Sequence, residues 1–308
     1  MRQTLNKANT YLLIGGAPKC GTTSLFRYFS DHPDVCPSSR KETYFFAREF
    51  DLEKVCKTGE TIDDFEAYFL HCQSDSKLRL EATPYTLYAK DAARKITSLM
   101  DNAYVLFILR EPDKRFVSDY KFLAQRGHPS ATGSIQDFLH WQKHVKGSIP
   151  SEIDMGCYVR YIKDFMDVLG AERVIITFFE DLISNPVEEM YRLCQKFEIN
   201  NTFFTTYNFG IHNPTINYKS STLNQFYIRL EPVIANLRSA LMNTPRLHKL
   251  FEQAVDFGKY GYRLVNSQKS DNRVGFPPRV LQELVEYYQP YNRMLSEELG
   301  YPLPWSST

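Results

Sequence analysis

The chain has 308 residues, 43% hydrophobic and 14% aromatic, with 37 Lys and Arg against 36 Asp and Glu, for a formal net charge of +1. That balance excludes the basic surface expected of a nucleic-acid binder, and the apolar fraction excludes a disordered chain. Length and composition suit a single α/β domain over 1–308, with a core at about 10–220 and a helical part at about 221–308.

Tyr11 to Ile14 reads as a short buried strand, running into Gly15-Gly16-Ala17-Pro18-Lys19-Cys20-Gly21-Thr22-Thr23 and then into helical spacing at Leu25, Phe26 and Phe29. A turn at His32-Pro33-Asp34, a basic stretch Ser39-Arg40-Lys41-Glu42 and the aromatic trio Tyr44-Phe45-Phe46 follow. Residues 51–78 form a polar connection holding one amphipathic helix around Phe65, Tyr68 and Phe69. Leu78 to Ala82 is a strand stopped by Thr83-Pro84, and Asp91 to Met100 is a helix. Ala103 to Leu109 is almost wholly apolar, the mark of a parallel strand covered on both faces, and it ends at Arg110-Glu111-Pro112 before a helix with Phe116, Tyr120 and Leu123 on one side. A helix from Tyr158 to Leu169 leads into the strand Val174 to Phe178. Beyond residue 220, helices are expected at Leu223–Met242, Arg246–Phe257 and Arg279–Leu299, with a polar loop at Val265–Pro278. Strands alternating with helices predict a parallel sheet in a three-layer α/β, P-loop-like fold with a helical C-terminal region.

Apolar runs such as Val105 to Leu109 are about five residues long, against the roughly 20 that span a bilayer. The N-terminal segment has neither a signal-peptide core nor a cleavage site, so a cytoplasmic chain without a membrane span is expected. The cysteines at 20, 36, 56, 72, 157 and 194 form no C-x-x-C pair and have no His cluster beside them, which points away from a zinc site and from a disulfide framework.

The glycine loop between strand and helix aims backbone N–H groups and a positive helix end at one spot, the arrangement that binds phosphate. Gly16 and Gly21 allow close approach, and Thr22, Thr23 and Ser24 add hydroxyls at the first helical turn. A Walker A loop would carry lysine at position 22, where Thr22 stands; the lysine is Lys19, inside the loop. The strand that would hold magnesium through an acid ends instead in Arg110, a cation placed to meet a phosphate, although pairing with Glu111 or Asp113 is the other reading. Glu180-Asp181 after the 174–178 strand imitates a Walker B acid, so a magnesium-dependent P-loop kinase is the alternative from another class.

Ala17-Pro18-Lys19-Cys20-Gly21-Thr22-Thr23-Ser24 resembles the 5′-phosphosulfate loop of sulfotransferases that use 3′-phosphoadenosine 5′-phosphosulfate, and Arg110 to Tyr120 resembles their 3′-phosphate motif. Lys41-Glu42-Thr43-Tyr44-Phe45-Phe46 is similar to the segment with the catalytic glutamate in the heparan-sulfate and carbohydrate branch and its bacterial relatives, and the stretch from Tyr287 to Trp305 resembles that branch's closing helix. The resemblance implies that Lys19, Cys20, Gly21, Thr22, Thr23, Ser24, Arg110 and Ser118 hold the nucleotide, with Lys219 and Ser220 as further contacts, and that no metal is needed. It implies Glu42 as general base and Lys19 as the group stabilising the leaving phosphate. A surface ion pair with Arg40 or Lys41 is the competing reading of Glu42, and a histidine base, as in cytosolic small-molecule sulfotransferases, is its chemical rival. The sequence departs from the branch at Ala82, where a lysine usually stands, and lacks the later Lys-Gly-Arg loop, for which Asn213 to Ser220 is the nearest equivalent. The expected reaction moves a sulfuryl group to a hydroxyl, or an amine, of a glycan or glycolipid, the other acceptor class being a small natural product; the oligomeric state is left open.

Overall fold

The computed structural model describes residues 10–210 apart from 53, 55, 57, 58 and 74, isolated positions between 217 and 268, and residues 276–305. Five strands form one parallel sheet: β1 (Thr10–Gly16), β2 (Val35–Pro37), β3 (Leu78–Ala82), β4 (Ala103–Leu109) and β5 (Val174–Phe178), in the order β2-β3-β1-β4-β5. The reason lies in β4, where Val105 to Leu109 are all completely buried. Each such side chain contributes roughly 1.5–3 kcal/mol on leaving water, which a strand obtains only with both faces covered.

Parallel strands need crossovers, and helices supply them. α1 (Thr22–Ser30) follows β1, α2 (Ile62–Glu66) precedes β3, α3 (Ala92–Leu99) precedes β4, and α4 (Pro112–Gln125) follows it. α5 (Ile135–His144) and α6 (Val159–Leu169) come next, while α7 (Phe179–Ser184) and α8 (Pro186–Lys196) follow β5. α2 starts where Thr61 and Asp64 form a reciprocal capping box. β2, α7 and α8 are additions to the sequence reading; three-residue strands and six-residue helices such as α7 leave little periodic signal.

The chain divides into two compact units. The first comprises Met1–Phe116, Val145–Asn213 and Glu283–Thr308, and holds the whole parallel sheet. Most of the long closing helix α9 (Pro278–Leu299) belongs here too, with Tyr288 and Leu295 buried. Gly156 makes room for Tyr288, since a Cβ there would come within 2.5 Å of its ring. Trp305 then meets Phe178 at the end of β5, ring centroids 5.1 Å apart.

The second unit comprises Val117–His144 and Pro214–Gln282. Within it Tyr120 packs on Phe138 and Phe276, at 5.4 and 6.0 Å between centroids, and donates its hydroxyl to the Gly133 carbonyl at 2.8 Å. β6 (Asn217–Tyr218) and β7 (Ser267–Gln268) pair antiparallel, so the expected polar loop at 265–278 contains a short strand. Most of the helices expected at 223–242 and 246–257 lies outside the described residues.

One expectation is overturned. The cysteine spacing pointed away from disulfides, yet Cys36 and Cys72 are bonded, with Cα atoms 5.7 Å apart and a sequence separation of 36. The fold brings β2 beside the turn that follows the 3₁₀ segment Ala67–Phe69, and loop closure costs too weakly with length for spacing to exclude such a pair. Cys20, Cys56, Cys157 and Cys194 are free.

Candidate active site

Open α/β sheets bind ligands outside the carboxyl ends of their strands. Three expected segments meet at that edge of the first unit: the loop after β1, Arg110 after β4, and Glu42 beside the end of β3. β1 lies between β3 and β4, with Ile14 opposite Ala82 and Gly16 opposite Phe107.

The loop after β1 is shaped by its backbone. Gly21 has φ +91°, and a Cβ there would stand 2.9 Å from the Phe179 ring, so glycine is required on both counts. Ala17 N–H donates to the Ile108 carbonyl at 2.8 Å, tying the loop to β4. Lys19 itself has φ +67°, a left-handed conformation that costs a non-glycine residue about 1 kcal/mol or more. Cys20 is fully buried between the Pro18 carbonyl and the Tyr158 hydroxyl, and burial pushes its thiol up to about 12, so it contributes backbone rather than a nucleophile. Thr22 and Ser24 are buried and Thr23 is half-buried at the first turn of α1. Tyr28 donates its proton to the Gly210 carbonyl at 2.8 Å and is hydrogen-bonded to Ser24, so the Ser24 hydroxyl is the donor in that pair.

Arg110 joins β4 to this loop. Its Nη1 donates to the Lys19 carbonyl at 3.3 Å, its guanidinium lies 4.6 Å from the Phe179 ring centroid, and its own carbonyl accepts from Tyr158 Oη at 2.9 Å. Its Nε is buried with no hydrogen-bond partner among the described residues. A half-buried guanidinium with an unspent N–H beside a loop of glycines and hydroxyls fits an anionic ligand, since an unmet buried donor costs about 1–3 kcal/mol. Neither Glu111 nor Asp113 is its ion-pair partner among the described residues, and Glu111 pairs with Lys114. Ser118 is buried on α4 in the second unit. Lys219 and Ser220 lie outside the described residues.

Glu42 is held by β3. Its N–H donates to the Ala82 carbonyl at 2.9 Å, and its φ of +63° and that of Tyr44, +55°, are again left-handed. The carboxylate receives Lys41 Nζ at 2.5 Å and the Tyr44 hydroxyl at 3.2 Å. The ion pair weighed against a catalytic role is therefore present. Beneath it Glu81, wholly buried, accepts from Thr43 N at 3.2 Å, Thr43 Oγ1 at 2.9 Å and Thr83 Oγ1 at 2.6 Å. Thr83 Oγ1 accepts in turn from Tyr44 N at 3.2 Å. Burial raises the Glu81 carboxyl above its ordinary value, opposed by those three donors and by Lys41.

Glu180, the imitation Walker acid, accepts from the Glu111 N–H at 3.2 Å, and burial raises its carboxyl toward the neutral form, which suits magnesium poorly. His32 is buried against the Asn200 carbonyl at 2.7 Å, His71 lies beside the disulfide, and His128, His140 and His144 belong to the second unit. Sequence reasoning passed over Phe179, Tyr158, Glu81 and Thr43 as site residues, and Glu81 alone had a local signal, an acid within a strand just before its Thr83-Pro84 stop.

A family model described as the sulfotransferase domain matches residues 9–209. Mouse heparan sulfate glucosamine 3-O-sulfotransferase 6 is 20% identical over 293 residues, covering 95% of this chain and 72% of that protein. Human carbohydrate sulfotransferase 15 is 22% identical over 240 residues, covering 60% of this chain and 43% of that protein, so the chain spans less than half of that relative. A solved sulfotransferase from Alicyclobacillus acidocaldarius superposes with a TM-score of 0.56 at 23% identity, covering 76% of this chain and 96% of that one, a likeness of fold.

Proposed function

The chain belongs to the sulfotransferase domain family, and from that premise we propose that it transfers a sulfuryl group from 3′-phosphoadenosine 5′-phosphosulfate to a hydroxyl of a glycan or glycolipid, as a single sulfotransferase domain over 1–308. The observation that carries this reading is the Arg110 Nη1 hydrogen bond to the Lys19 carbonyl, which couples the proposed 3′-phosphate residue to the proposed 5′-phosphosulfate loop. When bound, the nucleotide supplies an activated sulfuryl group on its 5′-phosphate.

Each residue has a definable task. Gly21, Thr22 and Thr23 offer backbone N–H groups at the positive end of α1, and Cys20 keeps that turn packed. Lys19 neutralises negative charge growing on the departing phosphate oxygen, a stabilisation confined to the transition state. Glu42 takes the proton of the acceptor hydroxyl on a carboxylate oxygen, after which its pairing with Lys41 has to loosen. Arg110 spends its unmatched Nε–H on the 3′-phosphate, and Ser118, Ser24, Lys219 and Ser220 are assigned to the same nucleotide. No residue in this assignment calls for a metal.

The glycan class is favoured by the relatives, a heparan sulfate glucosamine 3-O-sulfotransferase and a carbohydrate sulfotransferase. A small natural product is the other acceptor class, and a panel of desulfated glycosaminoglycans against phenolic and alkyl alcohols separates them. No helix among the described residues is long and apolar enough to cross a membrane. The cytoplasm expected from the sequence is weighed by the Cys36–Cys72 bond, a type that persists in oxidising compartments. Alkylation of thiols in intact cells, read at these two cysteines, decides the compartment.

Thermal stabilisation tests the nucleotide class. Ligand bound only to the folded state adds RT ln(1 + [L]/Kd), about 2.7 kcal/mol at a hundredfold excess over Kd. Adenosine 3′,5′-bisphosphate without metal should stabilise the protein, and Lys19→Ala and Arg110→Ala should each weaken it about tenfold or more, as loss of a hydrogen bond to a charged group does. Stabilisation by ATP with magnesium alone would transfer the assignment to a kinase.

A further inference from the structure

A second cluster of donor atoms lies on the edge strand β2. His71 Nε2 is 3.7 Å from Cys36 Sγ, and the ligand atoms of Cys36, His71 and Cys72 all lie within 4.8 Å of one another. No other such group of three occurs among the described residues. Cys36 is buried, Cys72 half-buried and His71 exposed, so the cluster is anchored in the sheet and open to water on one side. Its position is fixed by the backbone: Cys36 stands opposite Arg79 in the sheet, and Cys72 N–H donates to the Phe69 carbonyl at 2.9 Å.

We propose that reduction of the Cys36–Cys72 bond converts this cluster into a binding site for a zinc-type divalent cation, with the two thiolates and His71 Nε2 as ligands and water in the fourth position. Two sulfurs and one imidazole suit a borderline-soft cation and not magnesium or calcium. Tetrahedral zinc, with bonds near 2.3 Å to sulfur and 2.0–2.1 Å to nitrogen, sets its donors about 3.5–3.8 Å apart, the spacing Cys36 Sγ and His71 Nε2 already have. A dithiol reductant supplies two electrons and two protons; the S–S bond breaks to two thiols and the reductant leaves as its cyclic disulfide. Cation binding then releases one proton from each thiol, and His71 coordinates through the Nε2 lone pair with its proton on Nδ1. Either state fastens β2 to the segment after α2, by a covalent bond or by a metal.

The full chain is reduced with dithiothreitol under nitrogen, desalted and titrated with cobalt(II). One equivalent should produce the visible absorption of four-coordinate cobalt with a near-ultraviolet thiolate charge-transfer band, both displaced by zinc. The unreduced protein should produce neither. Cys36→Ser and Cys72→Ser should lose the charge-transfer band, and His71→Ala should weaken binding by more than the roughly 10–100-fold that loss of an outer-shell partner costs. His71 is exposed, so its variant keeps the test decisive if the cysteine variants fail to fold. Absence of the cobalt spectrum in reduced wild type overturns the site, as does a spectrum that survives in the Cys36→Ser/Cys72→Ser double variant; unaltered affinity in His71→Ala removes the histidine from it.

Discussion

Thr43 gives Glu81 two hydrogen bonds, from its N–H at 3.2 Å and its hydroxyl at 2.9 Å, and so a buried carboxyl on β3 holds the residue next to Glu42. Replacing Glu81 by Ala leaves three donors without their acceptor, at about 1–3 kcal/mol for each unsatisfied group. Glu81→Gln keeps a carbonyl acceptor in place. Denaturant unfolding should rank Glu81→Ala well below wild type and Glu81→Gln close to it, with turnover following the same order.

The same residue sets a pH dependence. Its folded-state pKa is raised above the ordinary 4.5, chiefly by burial, so between the two values the native state binds more protons than the unfolded one. Stability contributed by Glu81 is therefore greatest in acid and falls as pH rises from 4.5 through the folded value. Glu81→Gln cannot titrate, so its stability relative to wild type should increase over that interval. Unfolding midpoints from pH 4 to 8 measure it, and parallel curves would contradict the assignment.

Glu42→Gln keeps the size of the side chain and removes its basicity. Turnover should fall by roughly 10²-fold or more while stabilisation by adenosine 3′,5′-bisphosphate persists. Single-turnover kinetics beside the thermal shift separate the two effects, and undiminished turnover would leave Glu42 as the partner of Lys41 only.

Gly21→Ala places a methyl group 2.9 Å from Phe179 in a backbone of φ +91°. The left-handed conformation costs about 1–2 kcal/mol, and relief of the clash displaces the ring on which Arg110 rests. Lower stability together with weaker bisphosphate binding is expected. Calorimetric titration of the folded variant isolates the second effect.

Reduction of Cys36–Cys72 in chelator-containing buffer should destabilise the chain by about 2–4 kcal/mol, the range for a loop of this size. Comparison of midpoints with and without dithiothreitol reads it directly. A Cys36→Ser variant should sit at the reduced value and be insensitive to the reagent.

Local patterning determined much of this protein. β3, β4 and β5 begin and end where the sequence places them: β4 is a nearly apolar run closed by Arg110, the composition that burial on two faces favours, while β3 and β5 keep their bounds although Arg79, Glu81 and Thr177 stand within them. The Gly16–Gly21 turn and Arg110 were legible for the same reason, since backbone freedom and a lone cation after an apolar run are written in adjacent residues. Tertiary structure alone decided which strands adjoin, that Arg110 reaches back 91 residues to the Lys19 carbonyl, that Glu81 supports the Glu42 segment, and that Cys36 meets Cys72. Those relations depend on how crossovers return the chain to the sheet, and a contact between distant residues imposes no periodicity on the residues between them.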